Sequence, residues 1–441
     1  MAKIAFLGAG STVFARNVLG DCMASEALSG AEIALYDING ERLAQSEKIL
    51  SGIGRALGSK SKITCHVGPE SLDDALRGAD FVVNAVQVGG YEPCTVTDFE
   101  IPKKYGLRQT IADTFGIGGI MRALRTIPVM ETFARAIEKT CPQAWLLNYA
   151  NPMGALTGYM LLHTGVKTVG LCHSVQICSS GILRALGMED KLAGRKELIA
   201  GINHMGWLLE IRDSGGADLY PEIRRRAREK NASSKHDDMV RFDYIDKLGY
   251  YCTESSEHNA EYNPFYIKAR YPELIERFNI PLDEYPRRCV EQARAWKADY
   301  ERLAAQETLA HKRSGEYASR MMEAISTGGA PYALNGNVLN RGGLIENFPA
   351  SACVEVPCLV DGSGVRGCHV GSLPPQLAAM NMAHIGVQAV VIEAARTRKL
   401  EHVYHAAMLD PHTAAELSLD DIRAMTDELI AAHGSWLPKY S

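Results

Sequence analysis

The chain has 441 residues, of which 46% are hydrophobic and 22% charged, and its formal net charge is −5. This length fits two domains of about 100 to 200 residues each. The one dense basic cluster, residues 224–226, is short and flanked by acids, which argues against a nucleic-acid partner. We find no apolar run of about 18 residues in the sequence and therefore expect neither a membrane span nor a membrane partner.

The N-terminus and the cysteines indicate the compartment. The first ten residues carry one Lys and then enter a glycine turn, whereas a signal peptide has a longer apolar core. The eleven cysteines are odd in number and scattered, without CxxC spacing. Both features favour a reducing, cytoplasmic environment.

Over the first 205 residues short apolar runs alternate with amphipathic stretches, which is the pattern of βαβ units. The pattern predicts an α/β fold, with a Rossmann-like, doubly wound parallel sheet in residues 1–200. Residues 201–441 are expected to form a mixed α+β domain for substrate, metal and oligomerisation. The predicted elements are helices near 12–28 and 40–57, a helix over 118–140 that Pro128 kinks or divides, a strand over 206–212, a polar segment over 213–240, β structure over 335–364, and helices from Pro375 to about Arg398 and over 419–433.

Six apolar runs in the first half end on small, polar or metal-coordinating residues. In an open parallel sheet, ligands lie outside the carboxyl ends of the strands. We therefore expect these terminal residues to meet in one crevice, namely Gly8, Gly10, Asp37, Asn151, Cys172 and His204.

The turn Gly8-Ala9-Gly10-Ser11 lies between a strand and a helix, where backbone N–H groups can hold a pyrophosphate. Val13 replaces the third glycine of the dinucleotide fingerprint, and a tight turn without ligand is the alternative. Asp37 ends the second strand and can accept hydrogen bonds from a ribose. Together these residues predict a dinucleotide site that prefers NAD to NADP.

Cys172 and His204 are candidate metal ligands, since a thiolate and an imidazole leave positions open for substrate oxygens. A sulfur and nitrogen pair alone favours zinc, and a buried structural role for each residue is the alternative. Asn151 precedes Pro152 and can direct its amide at a sugar hydroxyl, or form an Asx turn. His173 is a candidate general acid. The polar and aromatic segment 253–266 suits a pocket wall or a solvated loop.

The chain resembles glycoside hydrolase family 4, the NAD-dependent and metal-dependent glycosidases, which depart from the usual two-carboxylate mechanism. Within the family it is most similar to members that hydrolyse α-galactosides. The matching segments occur in order along nearly the whole chain, at 6–21, 89–106, 111–128, 147–153, 170–176, 200–205, 253–262, 282–292, 353–361 and 405–415.

The resemblance implies an oxidation, elimination and addition route. NAD takes hydride from C3 of the sugar, and a divalent metal, usually Mn²⁺ in this family, polarises the resulting carbonyl. A tyrosinate then removes the acidified C2 proton, the glycosidic oxygen leaves C1, water adds, and the hydride returns. A homodimer or homotetramer is also expected.

The resemblance also assigns roles to residues. Cys172 and His204 match the metal ligands, Asn151 the substrate-binding asparagine, and Tyr262 the base, with Tyr266 as the alternative. Members that act on 6-phosphosugars carry an acid where this chain has His173, so Asp113 is an alternative proton donor.

Thr95 stands where phosphosugar members have a phosphate-binding arginine, which favours an unphosphorylated α-galactoside as the substrate. Arg287 and Arg288 lie in a segment that contacts substrate in relatives, and Arg288 is the candidate substrate ligand. This arginine keeps open an α-galacturonidase or α-glucuronidase of the same family. Further alternatives are an NAD-dependent hydroxy-acid dehydrogenase, which would produce NADH, and a non-enzymatic NAD sensor, which has no use for a metal pair.

Overall fold

A computed structural model describes residues 2–441 and contains one twelve-stranded sheet. Its strands are β1 Lys3–Leu7, β2 Glu32–Asp37, β3 Lys62–Val67, β4 Phe81–Asn84, β5 Trp145–Asn148, β6 Lys167–Gly170, β7 Lys196–Ile202, β8 Met205–Arg212, β9 Tyr251–Cys252, β10 Tyr332–Leu339, β11 Cys353–Asp361 and β12 Gly364–Gly367. The order across the sheet is β3-β2-β1-β4-β5-β6-β10-β11-β7-β8-β9, with β12 paired to β11.

Helices cover both faces of this sheet. They are α1 Thr12–Met23, α2 Gly40–Leu57, α3 Leu72–Leu76, α4 Val96–Lys104, α5 Gly116–Thr140, α6 Met153–His163, α7 His173–Ala185, α8 Tyr220–Ser233, α9 Met239–Leu248, α10 Ser256–Tyr262, α11 Glu273–Arg277, α12 Glu284–Ala304, α13 Tyr317–Thr327, α14 Pro375–Thr397, α15 Leu400–Leu409, α16 Pro411–Glu416 and α17 Leu419–His433.

Strands β1 to β6 are all parallel and follow the order 3-2-1-4-5-6 of a Rossmann-type sheet, which confirms the predicted fold class. Strand β1 shows why the sheet is apolar throughout: Ile4 and Phe6 belong to the core on one face, and Ala5 and Leu7 to the core on the other. Successive side chains of a strand point to opposite faces, so a strand covered on both sides carries a continuous apolar run.

The hairpin of β10 and β11 joins this parallel half to an antiparallel half. Gly170 of β6 pairs with Asn337, Asn337 with Glu355, and Glu355 with Gly201 of β7, so these residues form one row across four strands. Strand β7 runs antiparallel to β11, and hence opposite to β6. The expectation that His204 follows a strand of the parallel set is therefore wrong. His204 lies in the two-residue turn between β7 and β8, with φ of 65°.

The sequence predicts a kink or a division of the helix at Pro128, and the division is wrong, because α5 runs undivided over 25 residues. A proline inside a helix removes one hydrogen bond and costs about 3 kcal/mol. The helix packs against α3, α4, α6, α14 and α15, and most of its side chains are buried. The burial of this apolar surface offsets the cost of the proline.

Helix α14 is the most apolar long helix of the described residues. Within residues 2–441 it is long and apolar enough to cross a membrane by length and composition, with a mean hydropathy of 1.3 over an 18-residue window. More than half of that window is buried inside the protein, and the helix packs against α5, α6, α15 and β7. Its apolar composition is thus accounted for by contacts within the fold.

A buried ionic cluster fixes helix α17 to α4 and α5. Asp98 Oδ2 lies 2.6 Å from Arg125 Nη2, and Asp98 Oδ1 lies 2.8 Å from His433 Nε2. We expect Asp98→Ala to lower the free energy of unfolding by about 3 to 5 kcal/mol, because it leaves the Arg125 charge buried and unpaired. The exposed pair of Asp73 and Lys139 provides the control, and Asp73→Ala should cost less than about 1 kcal/mol. Urea denaturation measures both, and equal losses would contradict the argument.

Candidate active site

Cys172 and His204 lie together, as the sequence predicted, although their strands run in opposite directions. Cys172 is the N-cap of α7, two residues after β6. Its sulfur, a nitrogen of His204 and a carboxylate oxygen of Glu254 all lie within 4.8 Å of one another. Cys172 and His204 are buried, and Glu254 is partly exposed. A thiolate, an imidazole and a carboxylate form a donor set that fits a divalent cation.

The two ring nitrogens of His204 have different surroundings. Nδ1 lies 2.9 Å from Thr114 Oγ1, and that hydroxyl donates to Asp113 Oδ1 at 2.7 Å. Thr114 must therefore accept from the Nδ1–H of His204, while Nε2 faces Glu254 Oε2 at 3.4 Å. Burial lowers the pKa of His204, but Glu254, Cys172 and Asp113 outweigh burial and raise it to about 10. The surroundings of this imidazole strongly favour positive charge.

Asp113 connects the cluster to the predicted substrate ligand. The amide of Asn151 donates to Asp113 Oδ2 at 3.2 Å, and His258 Nε2 lies 3.7 Å from Asp113 Oδ1. The amide oxygen of Asn151 is buried and has no hydrogen-bond partner within residues 2–441. An orphaned acceptor at this position suits a hydroxyl group of a bound sugar.

The structure places Tyr262 in this cluster and Tyr266 outside it. The hydroxyl of Tyr262 lies 3.1 Å from His204 Nδ1, and its ring packs edge-on against Phe115 at 4.6 Å. Burial, with the nearby carboxylates of Asp113 and Glu254, raises the pKa of Tyr262 well above its usual value. Tyr266 donates instead to Asp243 Oδ2 at 3.0 Å.

Glu261 holds the loop that carries Asp113. Its buried carboxylate accepts hydrogen bonds from the backbone N–H groups of Thr110, Ile111 and Ala112, at 2.6, 3.1 and 2.8 Å. Ala112 has φ of 55°, a conformation that costs energy for any residue except glycine. The three hydrogen bonds stabilise this loop and tie it to the helix that bears Tyr262.

Sequence reasoning singled out the segment 253–266 but assigned no role to Glu254, His258 or Glu261. A signal for two of them was present, because Glu254, His258 and Tyr262 follow at intervals of four. That spacing brings side chains to one face of a helix. Glu261 lies off this series, and nothing in the spacing indicates its backbone contacts.

His173 lies beside the cluster with a carboxylate partner of its own. Its Nε2 is 2.6 Å from Glu316 Oε1, and its ring, about half exposed, packs near Phe14 and Tyr149. Burial lowers the pKa of His173, but the hydrogen bond and the charge of Glu316 outweigh it, so the pKa is raised. The imidazole is thus held as a proton donor.

The glycine turn has the geometry of a nucleotide site. Gly8 has φ of 85°, and a Cβ there would lie 2.9 Å from the backbone of Ala85, so only glycine fits. Gly10 donates its N–H to Asp37 Oδ2 at 2.7 Å, while Asp37 Oδ1 accepts from the backbone of Asn39 at 2.9 Å. Ser11 is exposed and makes no side-chain cap, so its hydroxyl and the first N–H groups of α1 remain open to a ligand.

Arg288 is engaged by protein carboxylates. Its guanidinium lies 2.6 Å from Glu257 and 2.7 Å from Glu284, at the edge of a cavity of about 550 Å³ between α7, α9, α10 and α12. Arg122 differs, because it is buried and no carboxylate within residues 2–441 lies within 4.0 Å of its guanidinium. It lies over the ring of Tyr285 at 5.9 Å.

Comparisons with known proteins agree over the whole chain. A model of the family 4 glycosyl hydrolases matches residues 3–188, and a model of their C-terminal domain matches residues 199–413. An α-galactosidase of Bacillus subtilis (strain 168) is 57% identical over 443 residues, covering all of both chains. Among solved structures, a putative glucosidase, lplD, from Bacillus subtilis has a TM-score of 0.85 at 26% identity, covering 97% of this chain and 99% of its own. A 6-phospho-α-glucosidase from gut microorganisms, solved with NAD and Mn²⁺, has a TM-score of 0.80 at 18% identity and covers all of both chains.

Proposed function

This chain belongs to glycosyl hydrolase family 4, and we propose from that membership that it is an α-galactosidase acting on unphosphorylated α-galactosides such as melibiose. The observation that carries the proposal is the end-to-end identity of 57% to an α-galactosidase. The cofactors are NAD and a divalent metal ion, with Mn²⁺ as the expected metal.

The turn of Gly8, Gly10 and Ser11 would hold the NAD pyrophosphate at the N-terminus of α1, and Asp37 the adenosine ribose. Cys172 and His204 would hold the metal. When bound, NAD accepts and returns a hydride at sugar C3, and the metal ion stabilises negative charge on the C3 oxygen. Both groups are used catalytically, so no net oxidation of the sugar results.

Side chains of the cluster are proposed to transfer the protons and to bind the sugar. Tyr262 removes the C2 proton with its hydroxyl oxygen, which lies 3.1 Å from His204 Nδ1. Asn151 binds a sugar hydroxyl with its free amide oxygen. His173 gives a proton to the leaving oxygen, since Glu316 raises its pKa and so favours the protonated form. Thr114, Asn151 and His258 hold Asp113 as an acceptor.

Two features support a neutral hexoside. Thr95 is buried and donates its hydroxyl hydrogen to the carbonyl oxygen of Gly90, so this position offers no positive charge to a phosphate group. The charge of Arg288 is neutralised by Glu257 and Glu284. One observation favours the alternative, an α-galacturonidase or α-glucuronidase. The guanidinium of Arg122 is buried and has no carboxylate of the described residues within 4.0 Å, so it could pair with the carboxylate of a uronic acid.

We further propose a cytoplasmic homodimer or homotetramer with residues 1–200 and 201–441 as its two domains. Eleven free cysteines support a reducing compartment. Helix α12 supports an oligomer, because it is amphipathic and Glu284 is its one fully buried residue. The boundary near residue 200 agrees with the interval between the two family matches, 188 to 199.

We expect turnover of nitrophenyl α-galactoside that requires both Mn²⁺ and catalytic amounts of NAD, without accumulation of NADH. A C3-deuterated galactoside should react more slowly, because the C3–H bond is broken. Nitrophenyl α-galacturonide is the matched substrate, and a preference for it would identify a uronidase. Stoichiometric NADH would identify a dehydrogenase, and full activity in a nucleotide-free preparation would refute the mechanism.

A further inference from the structure

Glu254 lies directly before the N-cap of α10 and faces the metal ligands. Its Oε2 is 3.4 Å from His204 Nε2, and Cys172 Sγ lies within 4.8 Å of these donor atoms. Its other oxygen, Oε1, is held by the backbone N–H of Ser255 at 2.9 Å. The side chain is therefore fixed through one oxygen, while the second is directed at the cluster.

The contact between Glu254 and His204 has the spacing of two ligands of one cation. His204 Nδ1 is hydrogen-bonded to Thr114, and Nε2 is the ring nitrogen that faces the carboxylate, 3.4 Å away. Ligand distances of about 2.0 to 2.3 Å place donors of one ion roughly 3 to 4 Å apart, and the observed separation agrees with this.

A second group of donors shares the same imidazole but is already occupied. Asp113 accepts from Thr114 with one oxygen and from Asn151 with the other, and His258 Nδ1 lies 2.6 Å from Ser255 Oγ. An ion there would break several hydrogen bonds, whereas an ion beside Glu254 breaks none of them.

We propose that Glu254 is the third protein ligand of the metal ion, alongside Cys172 and His204. This proposal rests on the metal site assigned in the proposed function. A carboxylate adds a hard donor to the thiolate and imidazole, which moves the preference of the site from Zn²⁺ toward Mn²⁺. The remaining positions stay open to sugar oxygens.

The test is Mn²⁺ binding to the reduced, chelator-stripped protein, followed by the EPR signal of free Mn²⁺ without NAD or sugar. We expect Glu254→Gln to raise the Kd at least as much as the loss of an outer-shell partner does, about 10- to 100-fold. Glu254→Asp, which retains a carboxylate, should recover part of the affinity. Glu257→Gln, three residues along and paired with Arg288, is the matched control and should bind as wild type does.

Three other results would overturn the proposal and differ in what they imply. If wild type binds no Mn²⁺, the metal site itself is wrong. If Cys172→Ser and His204→Ala lose the ion while Glu254→Gln keeps wild-type affinity, only the third ligand is wrong. If His258→Gln loses the ion and Glu254→Gln does not, the ion occupies the group around Asp113. Thermal unfolding of the metal-free variants checks that each one folds.

Discussion

Tyr262→Phe is expected to lower turnover by about 10²- to 10⁴-fold, which is the usual contribution of a positioned acid or base. The substitution keeps the ring and its packing on Phe115 but removes the oxygen next to His204. Hydride transfer from C3 precedes the step that needs this base. The variant should therefore accumulate enzyme-bound NADH when given substrate, detected by absorbance or fluorescence, and should lose exchange of the C2 hydrogen with solvent deuterium.

Tyr266→Phe is the matched control, because its hydroxyl contacts Asp243 and lies outside the cluster. It should retain C2 exchange and near-normal turnover. If Tyr266→Phe loses both while Tyr262→Phe keeps them, the base is Tyr266. If neither variant changes turnover, proton removal at C2 by a tyrosine is not part of the reaction.

Cys172→Ser and His204→Ala are each expected to reduce activity by about 10³-fold or more, the equivalent of the several kcal/mol that a Lewis-acid metal contributes. Both side chains are buried in the donor set, and neither belongs to the two hydrophobic core clusters. Bound metal measured by mass spectrometry should fall in parallel, with the circular dichroism spectrum preserved. A chelator should reproduce the loss in wild type, and added Mn²⁺ should reverse it there but not in the variants.

The contrary result is also informative. Either variant with unchanged turnover and intact metal content would remove that residue from the metal site. A variant that keeps its metal but loses activity would point to a role in binding sugar or NAD.

Much of the parallel half follows from the sequence. Strands such as β1 and β4 are buried on both faces, so their apolar runs and glycine endings are read directly. The direction of β7 cannot be predicted from its apolar run, because such a run does not indicate which strands lie beside it in the sheet. Strand β7 runs opposite to β6 because β10 and β11 are inserted between them, and these two strands come more than 130 residues later in the chain.

The residues of the site likewise differ in whether the sequence predicts them. Cys172 and His204 could be singled out since each ends an apolar run, and the row of paired residues through Gly170 and Gly201 brings them together. The backbone contacts of Glu261 and the pairing of Arg288 with Glu257 depend on the packing of α10 and α12. Such contacts join segments up to 151 residues apart and leave no periodic trace in the chain.

The insertion of β10 also sets the order in which a growing polypeptide can fold. Gly170 emerges from the ribosome 167 residues before Asn337, its partner on the next strand. Throughout that interval β6 is an open edge of the sheet, and such an edge can pair with strands of other chains. The β7–β8 hairpin forms from local contacts, but the strand beside which it packs in the sheet has not yet been synthesised. Cys172 and His204 meet only after β11 is synthesised. Catalytic competence is thus acquired in the last quarter of translation, and until then the open edge of β6 is a site at which nascent chains can associate.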